Sequence, residues 1–348
     1  MTPHSLTSLR SIAATGADTI IDVRAPSEFA EDHVPGAINL PVLSDAERAE
    51  VGTIYKQHSP FLARKVGAAL VARNAAAHLQ GPLAEYDGAW QPLVYCWRGG
   101  QRSGAFATIL DQVGWRVHLI KGGYRSYRGL VNSYLYEGKL PHRVTLLDGG
   151  TGTGKTALLH HLRDAGAQVI DLEELAAHRG SLFGAVSEEQ PAQKMFESRL
   201  AAALDALDPE RMTWIESESS RVGDRIIPPA LWSAMCAAPR VEISAPLDAR
   251  AGFLGDAYPD LVADRDRLVA RIDDLRPYHA AAVIEDWQQR AAAGDWRTVA
   301  RALMEVHYDP RYAKSQARAK ITPERIALDA LDPGTLAATA RTLVGRFS

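Results

Sequence analysis

One cysteine in the sequence has neighbours that could make it reactive. Cys96 follows a short apolar, β-prone run, Leu93–Tyr95, and precedes a loop rich in arginine and glycine, made of Trp97, Arg98, Gly99, Gly100, Gln101 and Arg102. Glycines let several backbone N–H groups turn into one concavity, and a following helix N-terminus and the arginines add positive potential. Such surroundings favour the thiolate, which is the nucleophilic form of cysteine. The stretch therefore predicts an anion-binding loop with a reactive sulfur at its base, in which Cys96, Arg98 and Arg102 are the candidate catalytic residues.

The alternative for Cys96 is a buried structural cysteine, which is the usual fate of a free cysteine. The adjoining arginines and glycines argue against it, because such residues do not line an apolar core. Ser103 is expected to cap a helix that runs through Ala105–Val113. The second cysteine, Cys236, stands among apolar residues and is interpreted as a packing residue.

A second loop has the composition of a phosphate site. The β-prone run Val144–Asp148 leads into a Gly-x-x-x-x-Gly-Lys-Thr motif, and Ala157–Ala165 continues as a predicted helix. The motif consists of Gly149, Gly150, Thr151, Gly152, Thr153, Gly154, Lys155 and Thr156. In a strand–loop–helix setting this spacing predicts a P-loop. Its amides would face an anionic phosphate chain, Lys155 would add a point charge, and Thr156 can ligate Mg²⁺.

Two carboxylates end the next β-prone runs of this half of the chain. Asp171 and Glu216 stand at strand ends, and in open α/β sheets that edge faces the phosphate site. Both interpretations stay open for them: positioning of a metal ion or water, or capping of the next helix. Arg179 and Ser181 belong to a polar, glycine-containing stretch that is a candidate substrate-recognition loop. Arg250, on a later predicted helix, could reach a phosphate.

Basic side chains cluster in two places that could contact RNA. Lys56, Arg64 and Lys65 lie in a predicted helical insertion, residues 44–80, and a later segment interleaves Arg125 and Arg128 with Tyr124 and Tyr127. Basic and aromatic residues together suit neutralisation of a phosphate backbone and stacking of bases. The alternative is that these charges only solvate helix faces.

Length and composition bound the class of protein. The chain has 348 residues, a length that suits two domains, and its net charge is −3. Its two cysteines are too few for a disulfide framework. The near-neutral net charge means that any RNA surface must be a local patch. The N-terminus does not read as a signal peptide and no apolar run is long enough to span a membrane, so a cytoplasmic location without membrane association is expected.

The first half of the chain carries a recognisable set of motifs. Asp22-x-Arg24, Glu28-Phe29 and His33-Val-Pro-Gly-Ala-x-Asn39, followed by the Cys96 loop, resemble a rhodanese domain. The resemblance implies an α/β domain with a parallel sheet over residues 1–138, into which the helical insertion 44–80 is built. The family pattern has glycine where this chain has Asp32. Residues 139–348 are then expected to form a P-loop NTPase-like α/β domain with a helical C-terminal region.

The two domains together resemble the bacterial tRNA 2-selenouridine synthases. Further motifs carry this resemblance: Gly52–Gln57, Asp171-Leu-Glu173, His178-Arg-Gly-Ser181 and His307-Tyr-Asp-Pro310. It implies a tRNA anticodon region as partner, with geranylation of a wobble 5-substituted 2-thiouridine and replacement of that sulfur by selenium. The implied co-substrates are geranyl diphosphate, held by the P-loop with Mg²⁺, and selenophosphate, supplied by a separate synthase. Cys96 would carry selenium as a selenylsulfide-type adduct.

Two other classes fit parts of the sequence. The spacing from Cys96 to Arg102 is Cys-x5-Arg, which also suits a cysteine phosphatase on a rhodanese fold. Phosphate-ester turnover by the N-terminal domain would favour that class. The second alternative is a P-loop kinase with a regulatory rhodanese-like module, for which ATP hydrolysis would be insensitive to Cys96→Ser.

Overall fold

A computed structural model describes residues 1–179, 189–317 and 321–347, so the candidate Ser181 lies outside the described residues. Twelve strands lie within these ranges, and most of them are short. They are β1 Thr2–His4, β2 Thr19–Asp22, β3 Ile38–Asn39, β4 Pro92–Tyr95, β5 His118–Ile120, β6 Arg143–Gly149, β7 Gln168–Ile170, β8 Met212–Glu216, β9 Arg221–Val222, β10 Arg225–Ile226, β11 Arg240–Ser244 and β12 Glu324–Ala327.

Helices make up most of the remaining regular structure. They are α1 Pro26–Glu31, α2 Asp45–Gln57, α3 Pro60–Gln80, α4 Gln101–Val113, α5 Gly123–Tyr136, α6 Lys155–Asp164, α7 Leu172–Ala176, α8 Gln193–Asp205, α9 Pro229–Ala237, α10 Leu247–Ala257, α11 Pro259–Ala263, α12 Arg265–Asp273, α13 Ala281–Ala293, α14 Trp296–Leu303, α15 Asp309–Gln316 and α16 Pro333–Phe347. Short 3-10 turns occur at Leu9–Ser11, Ala13–Thr15 and Arg276–Tyr278, and a π-helical turn, Met304–Tyr308, joins α14 to α15. None of these helices is both long enough and apolar enough to cross a membrane.

The chain divides into two compact units. The first contains Met1–Gly138 together with Gln190–Ala206 and Pro228–Ala230, and the second contains the other described residues. Helix α8 therefore belongs to the first unit, although it follows the P-loop in sequence. Its Glu197 forms an ion pair with Arg128 of α5 and accepts a hydrogen bond from Tyr136.

The first unit is built on a parallel sheet with strand order β1-β5-β4-β2-β3. Strand β4 is buried along its whole length, as expected for the centre of a parallel sheet covered on both faces. Val94 packs with Phe106 and Leu110 of α4 in the core. The predicted insertion forms two helices, α2 and α3, which begin at the capping serines Ser44 and Ser59.

The second unit has a parallel sheet with strand order β12-β11-β6-β8-β7. Helices α6 and α16 pack on it around Leu158 and Leu343. Helices α12, α13 and α14 enclose a separate core that includes Ile284 and Trp287. The predicted α/β domain with a helical C-terminal region is confirmed, but that region also contains β12, an edge strand that the sequence analysis did not anticipate.

Two local predictions are wrong. Ser103 does not cap α4, because the helix begins at Gln101 with Gly100 as its N-cap, which leaves Ser103 inside the first turn. Cys236 is exposed rather than packed, since it lies on the outer face of α9.

Candidate functional sites

The loop after β4 is held in place by the start of α5. The Tyr124 N–H donates to the Cys96 carbonyl at 2.8 Å, and the Arg125 N–H donates to the Trp97 carbonyl at 3.0 Å. Gly99 has a φ of 63°, and a Cβ there would lie 2.7 Å from the Ile120 carbonyl oxygen. The loop can therefore follow this path only with glycine at that position.

The Cys96 sulfur lies in a polarised setting. The side chain is 4% exposed, and the Ser103 hydroxyl donates to Sγ at 3.1 Å. Burial raises the pKa of the Cys96 thiol, but hydrogen bonds from Ser103 and the Gly100 N–H, with the charge of Arg102, outweigh it and lower the pKa below its ordinary value. A lowered pKa increases the thiolate fraction of Cys96, and the thiolate is the nucleophilic form.

Replacing Ser103 with alanine should slow Cys96 at neutral pH. Loss of the hydroxyl donor raises the thiol pKa, so the thiolate fraction below that pKa falls and we expect alkylation to slow about three- to tenfold. The difference should vanish above both pKa values. Iodoacetamide rates against pH, measured in a Cys236→Ser background, check this.

A matched control is Ser133→Ala, because Ser133 is an exposed serine of α5 whose hydroxyl contacts Glu137. It should leave the pH profile of Cys96 unchanged. An unaltered profile for Ser103→Ala would show that this hydroxyl does not tune the sulfur.

Cys96 forms part of the wall of a cavity of about 490 Å³. Its lining includes the predicted loop residues Trp97, Arg98, Gly100, Gln101 and Arg102 and two residues of α2, Arg48 and Tyr55. The sequence analysis did not select Arg48 or Tyr55. Their spacing of seven on α2 puts them on one face of the helix, which was the available signal. The Tyr55 and Trp97 side chains are 59% and 37% exposed, so aromatic surface remains at this cavity.

The arginines of the cavity have different environments. Arg102 forms an ion pair with Glu28 at 2.6 Å, which offsets part of its charge. Arg98 is an exposed residue of the loop, and Arg48 reaches the cavity from α2. An anion in this cavity would thus meet Arg98, Arg48 and the amides at the N-terminus of α4 as well as the paired Arg102.

A buried polar network lies behind the loop. Arg24 pairs with Asp22 at 2.7 Å and lies 4.0 Å above the Tyr124 ring. Asp32, the residue that departs from the rhodanese pattern, accepts a hydrogen bond from the Tyr124 hydroxyl at 2.6 Å. These contacts hold α5, and with it the Cys96 loop, against the sheet.

The basic residues proposed for RNA contact fall into two groups. Lys56, Arg64, Lys65 and Arg125 are exposed. Arg128 is 14% exposed and is committed to ion pairs with Asp32 at 3.5 Å and with Glu197. Tyr124 and Tyr127 are buried, so the expectation that they stack on bases is wrong. Both errors have one cause, since α5 turns the face that carries these three residues into the first unit.

The P-loop connects β6 to α6 in the second unit. Gly152 and Gly154 have φ values of 78° and 74°, which favour glycine, and α6 begins at Lys155. Lys155 Nζ donates to the carbonyls of Gly149 at 2.6 Å and Gly150 at 3.2 Å. The loop borders a cavity of about 580 Å³, so the predicted strand–loop–helix surrounds a space suited to an anion.

Arg250 holds the P-loop from α10. It donates to the Thr151 carbonyl at 2.7 Å and pairs with Asp309 at 2.7 Å. The sequence analysis expected this guanidinium to reach a phosphate. In the structure it links the loop backbone to the first residue of α15.

Three carboxylates converge near the hydroxyl of Thr156. This hydroxyl donates to Glu173 at 3.1 Å and Glu216 at 3.3 Å, and oxygens of Glu173, Glu216 and Glu218 lie within 4.8 Å of one another. Burial and the charge of Glu218 raise the pKa of Glu173 to about 8, and burial with the charge of Glu173 raises that of Glu216. Hard oxygen donors that repel one another fit Mg²⁺, which prefers such ligands.

Asp171 and Glu216 both contact the start of α7, where Glu216 accepts from the Glu173 N–H at 2.9 Å. The Asp171 carboxylate accepts from the Glu174 N–H at 2.8 Å, and His160 Nε2 lies 2.7 Å from it. Asp171 therefore caps α7, and with His160 and Glu174 it also belongs to a second group of side chains that could hold a metal ion. The sequence analysis did not select Glu173 and Glu218, although Glu218 lies only two residues after Glu216.

A smaller cavity of about 90 Å³ adjoins the P-loop cavity. Both cavities are bordered by Thr151, Leu254, Tyr258 and Tyr308, and the smaller one is otherwise lined by aliphatic and aromatic side chains. Arg179 borders the larger cavity, with its guanidinium 4.9 Å from the Tyr258 ring centroid. The second unit thus combines an anion-binding loop with an apolar recess.

These sites define a class: a rhodanese-like domain with a candidate reactive cysteine, joined to a P-loop domain. Family models agree, since the rhodanese-like domain matches residues 5–130 and the tRNA 2-selenouridine synthase AAA domain matches residues 142–267. A tRNA 2-selenouridine synthase of Pseudomonas syringae pv. syringae is 33% identical over 328 residues, 84% of this chain and 87% of that protein. The chain belongs to the tRNA 2-selenouridine synthase family.

Other relatives match over different lengths. The tRNA 2-selenouridine synthase of Hahella chejuensis is 34% identical over 324 residues, which is 84% of each chain. That of Nitrosomonas europaea is 36% identical over 247 residues, which is 70% of this chain. The match to the Nitrosomonas protein spans 64% of that protein, which is less than two thirds of its length.

Proposed function

We propose that this protein is a tRNA 2-selenouridine synthase that uses geranyl diphosphate and selenophosphate in two successive steps. The observation that carries the proposal is the apolar cavity beside the P-loop, bordered by Leu254 and Tyr258. A nucleotide in that recess would leave polar groups of its base unpaired, at a cost of about 1–3 kcal/mol each. A diphosphate with an alkyl tail matches both the P-loop and the recess.

In the first step the P-loop holds the diphosphate of the geranyl donor. The sulfur of a wobble 5-substituted 2-thiouridine attacks the first carbon of the geranyl chain, the carbon–oxygen bond breaks, and diphosphate leaves with the electron pair. The base loses its N3 proton and becomes the neutral S-geranyl form. Lys155 and the loop amides stabilise the charge on the leaving group. Mg²⁺ held by Thr156, Glu216 and Glu173 would supply further charge stabilisation.

In the second step the Cys96 cavity holds selenophosphate. The Cys96 thiolate attacks phosphorus, an Sγ–P bond forms, the P–Se bond breaks, and selenide leaves with the electron pair. Selenide adds to C2 of the base, geranyl thiolate leaves, and water removes the phosphoryl group from Cys96. This route needs no reductant, whereas a selenylsulfide on Cys96 needs electrons when its selenium is released. Arg98, Arg48 and the loop amides face the phosphoryl oxygens.

The tRNA anticodon region is the proposed partner of this cavity. Tyr55 and Trp97 offer exposed rings on which the wobble base can stack, since stacking on aromatic side chains is the usual mode of single-stranded recognition. The exposed Lys56, Arg64, Lys65 and Arg125 supply positive charge for the RNA backbone. A selenophosphate-supplying synthase is the second proposed partner, because selenophosphate must be made by another enzyme.

Reconstitution with the full chain tests the proposal. An anticodon stem–loop with a wobble 2-thiouridine is incubated with Mg²⁺ and geranyl diphosphate, then with selenophosphate, and its nucleosides are analysed by mass spectrometry. We expect the S-geranyl nucleoside first and 2-selenouridine second. Absence of the S-geranyl product with folded protein would overturn the first step. Its accumulation without 2-selenouridine would overturn the second.

A further inference from the structure

The apolar recess of the second unit has a near end and a far end. Leu254, Tyr258 and Tyr308 border both this recess and the P-loop cavity, so they mark the near end. Trp296 and Ala300 of α14 are among the residues that line only the recess, and we assign them to its far end. These two residues are four apart and lie on the same face of the helix.

The far wall packs closely against α10. The Trp296 ring lies so close above Gly255 of α10 that any side chain at that glycine would overlap it. Leu303 and Met304, which also line the recess, are buried. Ala300 is the smallest side chain in this wall, so it leaves the space that a bulkier residue would fill.

The π-helical turn Met304–Tyr308 joins this recess to the P-loop. Pro310 follows the turn and has no N–H, which suits an interruption of the regular α-helical hydrogen bonds between α14 and α15. π-turns inside helices occur often at functional sites. Tyr308 ends the turn and borders both cavities. The next residue, Asp309, forms an ion pair with Arg250, which contacts the P-loop. The segment His307–Pro310 thus connects the recess to the phosphate site.

The size of the recess limits the length of its occupant. An apolar protein cavity of roughly 150 Å³ holds a six-carbon ring. A recess of about 90 Å³ is smaller than that, so it can enclose only a short part of a prenyl chain. A ten-carbon chain would have its first unit in the P-loop cavity and its second in the recess, and a fifteen-carbon chain would meet the Trp296 wall.

We infer that Ala300 and Trp296 determine the chain length of the prenyl diphosphate that this protein accepts. The inference rests on the proposed geranyl transfer and adds the residues that select ten carbons. Ala300→Phe fills the far end of the recess, and Trp296→Ala opens it. The first change should favour the five-carbon donor, and the second should admit the fifteen-carbon donor.

The test is competition among dimethylallyl, geranyl and farnesyl diphosphates for the 2-thiouridine stem–loop, with full-length protein and Mg²⁺. We expect Ala300→Phe to lower kcat/KM for geranyl relative to dimethylallyl diphosphate about tenfold or more. Trp296→Ala should raise the farnesyl-to-geranyl ratio about tenfold. Ala293→Phe, the same substitution at an exposed position of α13, is the matched control and should leave both ratios unchanged.

The outcomes separate this inference from the proposed function. If the wild type accepts none of the three donors, prenyl transfer itself is wrong. If the wild type geranylates the RNA but both variants keep its donor ratios, the recess does not select the length of the prenyl chain. Because one variant fills the recess and the other enlarges it, a folding defect in one leaves the other as the deciding measurement.

Discussion

Serine at position 96 is expected to abolish selenium incorporation while S-geranylated RNA continues to form. A hydroxyl remains protonated where the Cys96 thiol is partly ionised, so the attack on selenophosphate loses its nucleophile. We expect 2-selenouridine formation to fall about a thousandfold or more, because removal of a nucleophile costs that order in covalent catalysis. Nucleoside mass spectrometry of the stem–loop after each step measures both products.

Cys236→Ser is the matched control, because it removes the other thiol, which is exposed on α9. It should leave both steps intact. Normal 2-selenouridine from Cys96→Ser would refute the nucleophilic role of Cys96. Intact-protein mass spectrometry of the wild type with selenophosphate alone distinguishes the route: a phosphocysteine carries no selenium isotope pattern, and a selenylsulfide does.

The anion loops could be predicted because each depends on a few consecutive residues. Cys96–Arg102 and Gly149–Thr156 both combine glycines with a following helix, so the path of the backbone and the direction of the amides are local properties. The parallel sheets were predictable for a similar reason, since the β-prone runs alternate with helices. The predicted fold class is confirmed in both units.

Residues that act across helices were harder to find. Arg48 and Tyr55 reach the Cys96 cavity only because α2 packs near the loop, and their local sequence does not predict that proximity. The basic and aromatic alternation on α5 had the opposite outcome. Arg128 and Tyr127 look like an RNA-binding pattern in sequence, but α8 covers them, and α8 comes from a segment more than sixty residues later.

The exact start of a helix was a third feature that the sequence did not determine. Ser103 is close enough to a helix start to suggest a cap, yet its hydroxyl donates to Cys96 Sγ, because Gly100 is the N-cap and α4 begins at Gln101. Asp171 was left open between a metal and a cap; the cap contact to Glu174 is present, and the metal interpretation stays a prediction. For Ser103, a shift of a few residues in the helix start decides the chemistry of the side chain.

The recess beside the P-loop could not have been derived from pattern at all. Its walls come from the P-loop, α10, α11, α12, α14 and the π-helical turn, which lie along the chain from Thr151 to Tyr308. Each wall residue alone is an ordinary apolar side chain of a helix, and only tertiary packing makes a cavity of them. The prenyl diphosphate preference that we propose for the P-loop therefore depends on structure that the motif does not encode.

Alanine at position 155 should block geranylation and, through it, both products. Lys155 Nζ donates to the carbonyls of Gly149 and Gly150, and Lys155 borders the P-loop cavity in which we propose that the diphosphate binds. Because the loss of Lys155 removes stabilisation of the leaving group, we expect the rate of geranyl transfer to fall about a hundredfold or more. The measurement is the initial rate of S-geranyl nucleoside formation. Lys314→Ala, which removes an exposed lysine of α15, should leave that rate unchanged.

A stem–loop that already carries the S-geranyl group decides whether the effect lies in the first step. If the P-loop serves only the diphosphate, Lys155→Ala should convert this RNA to 2-selenouridine at close to the wild-type rate, because the Cys96 site needs no prenyl donor. Loss of selenium exchange on the geranylated RNA would mean that the P-loop also serves the second step. Undiminished geranylation by Lys155→Ala would mean that the diphosphate binds elsewhere, since an anion site that loses its lysine cannot keep its leaving group equally stabilised.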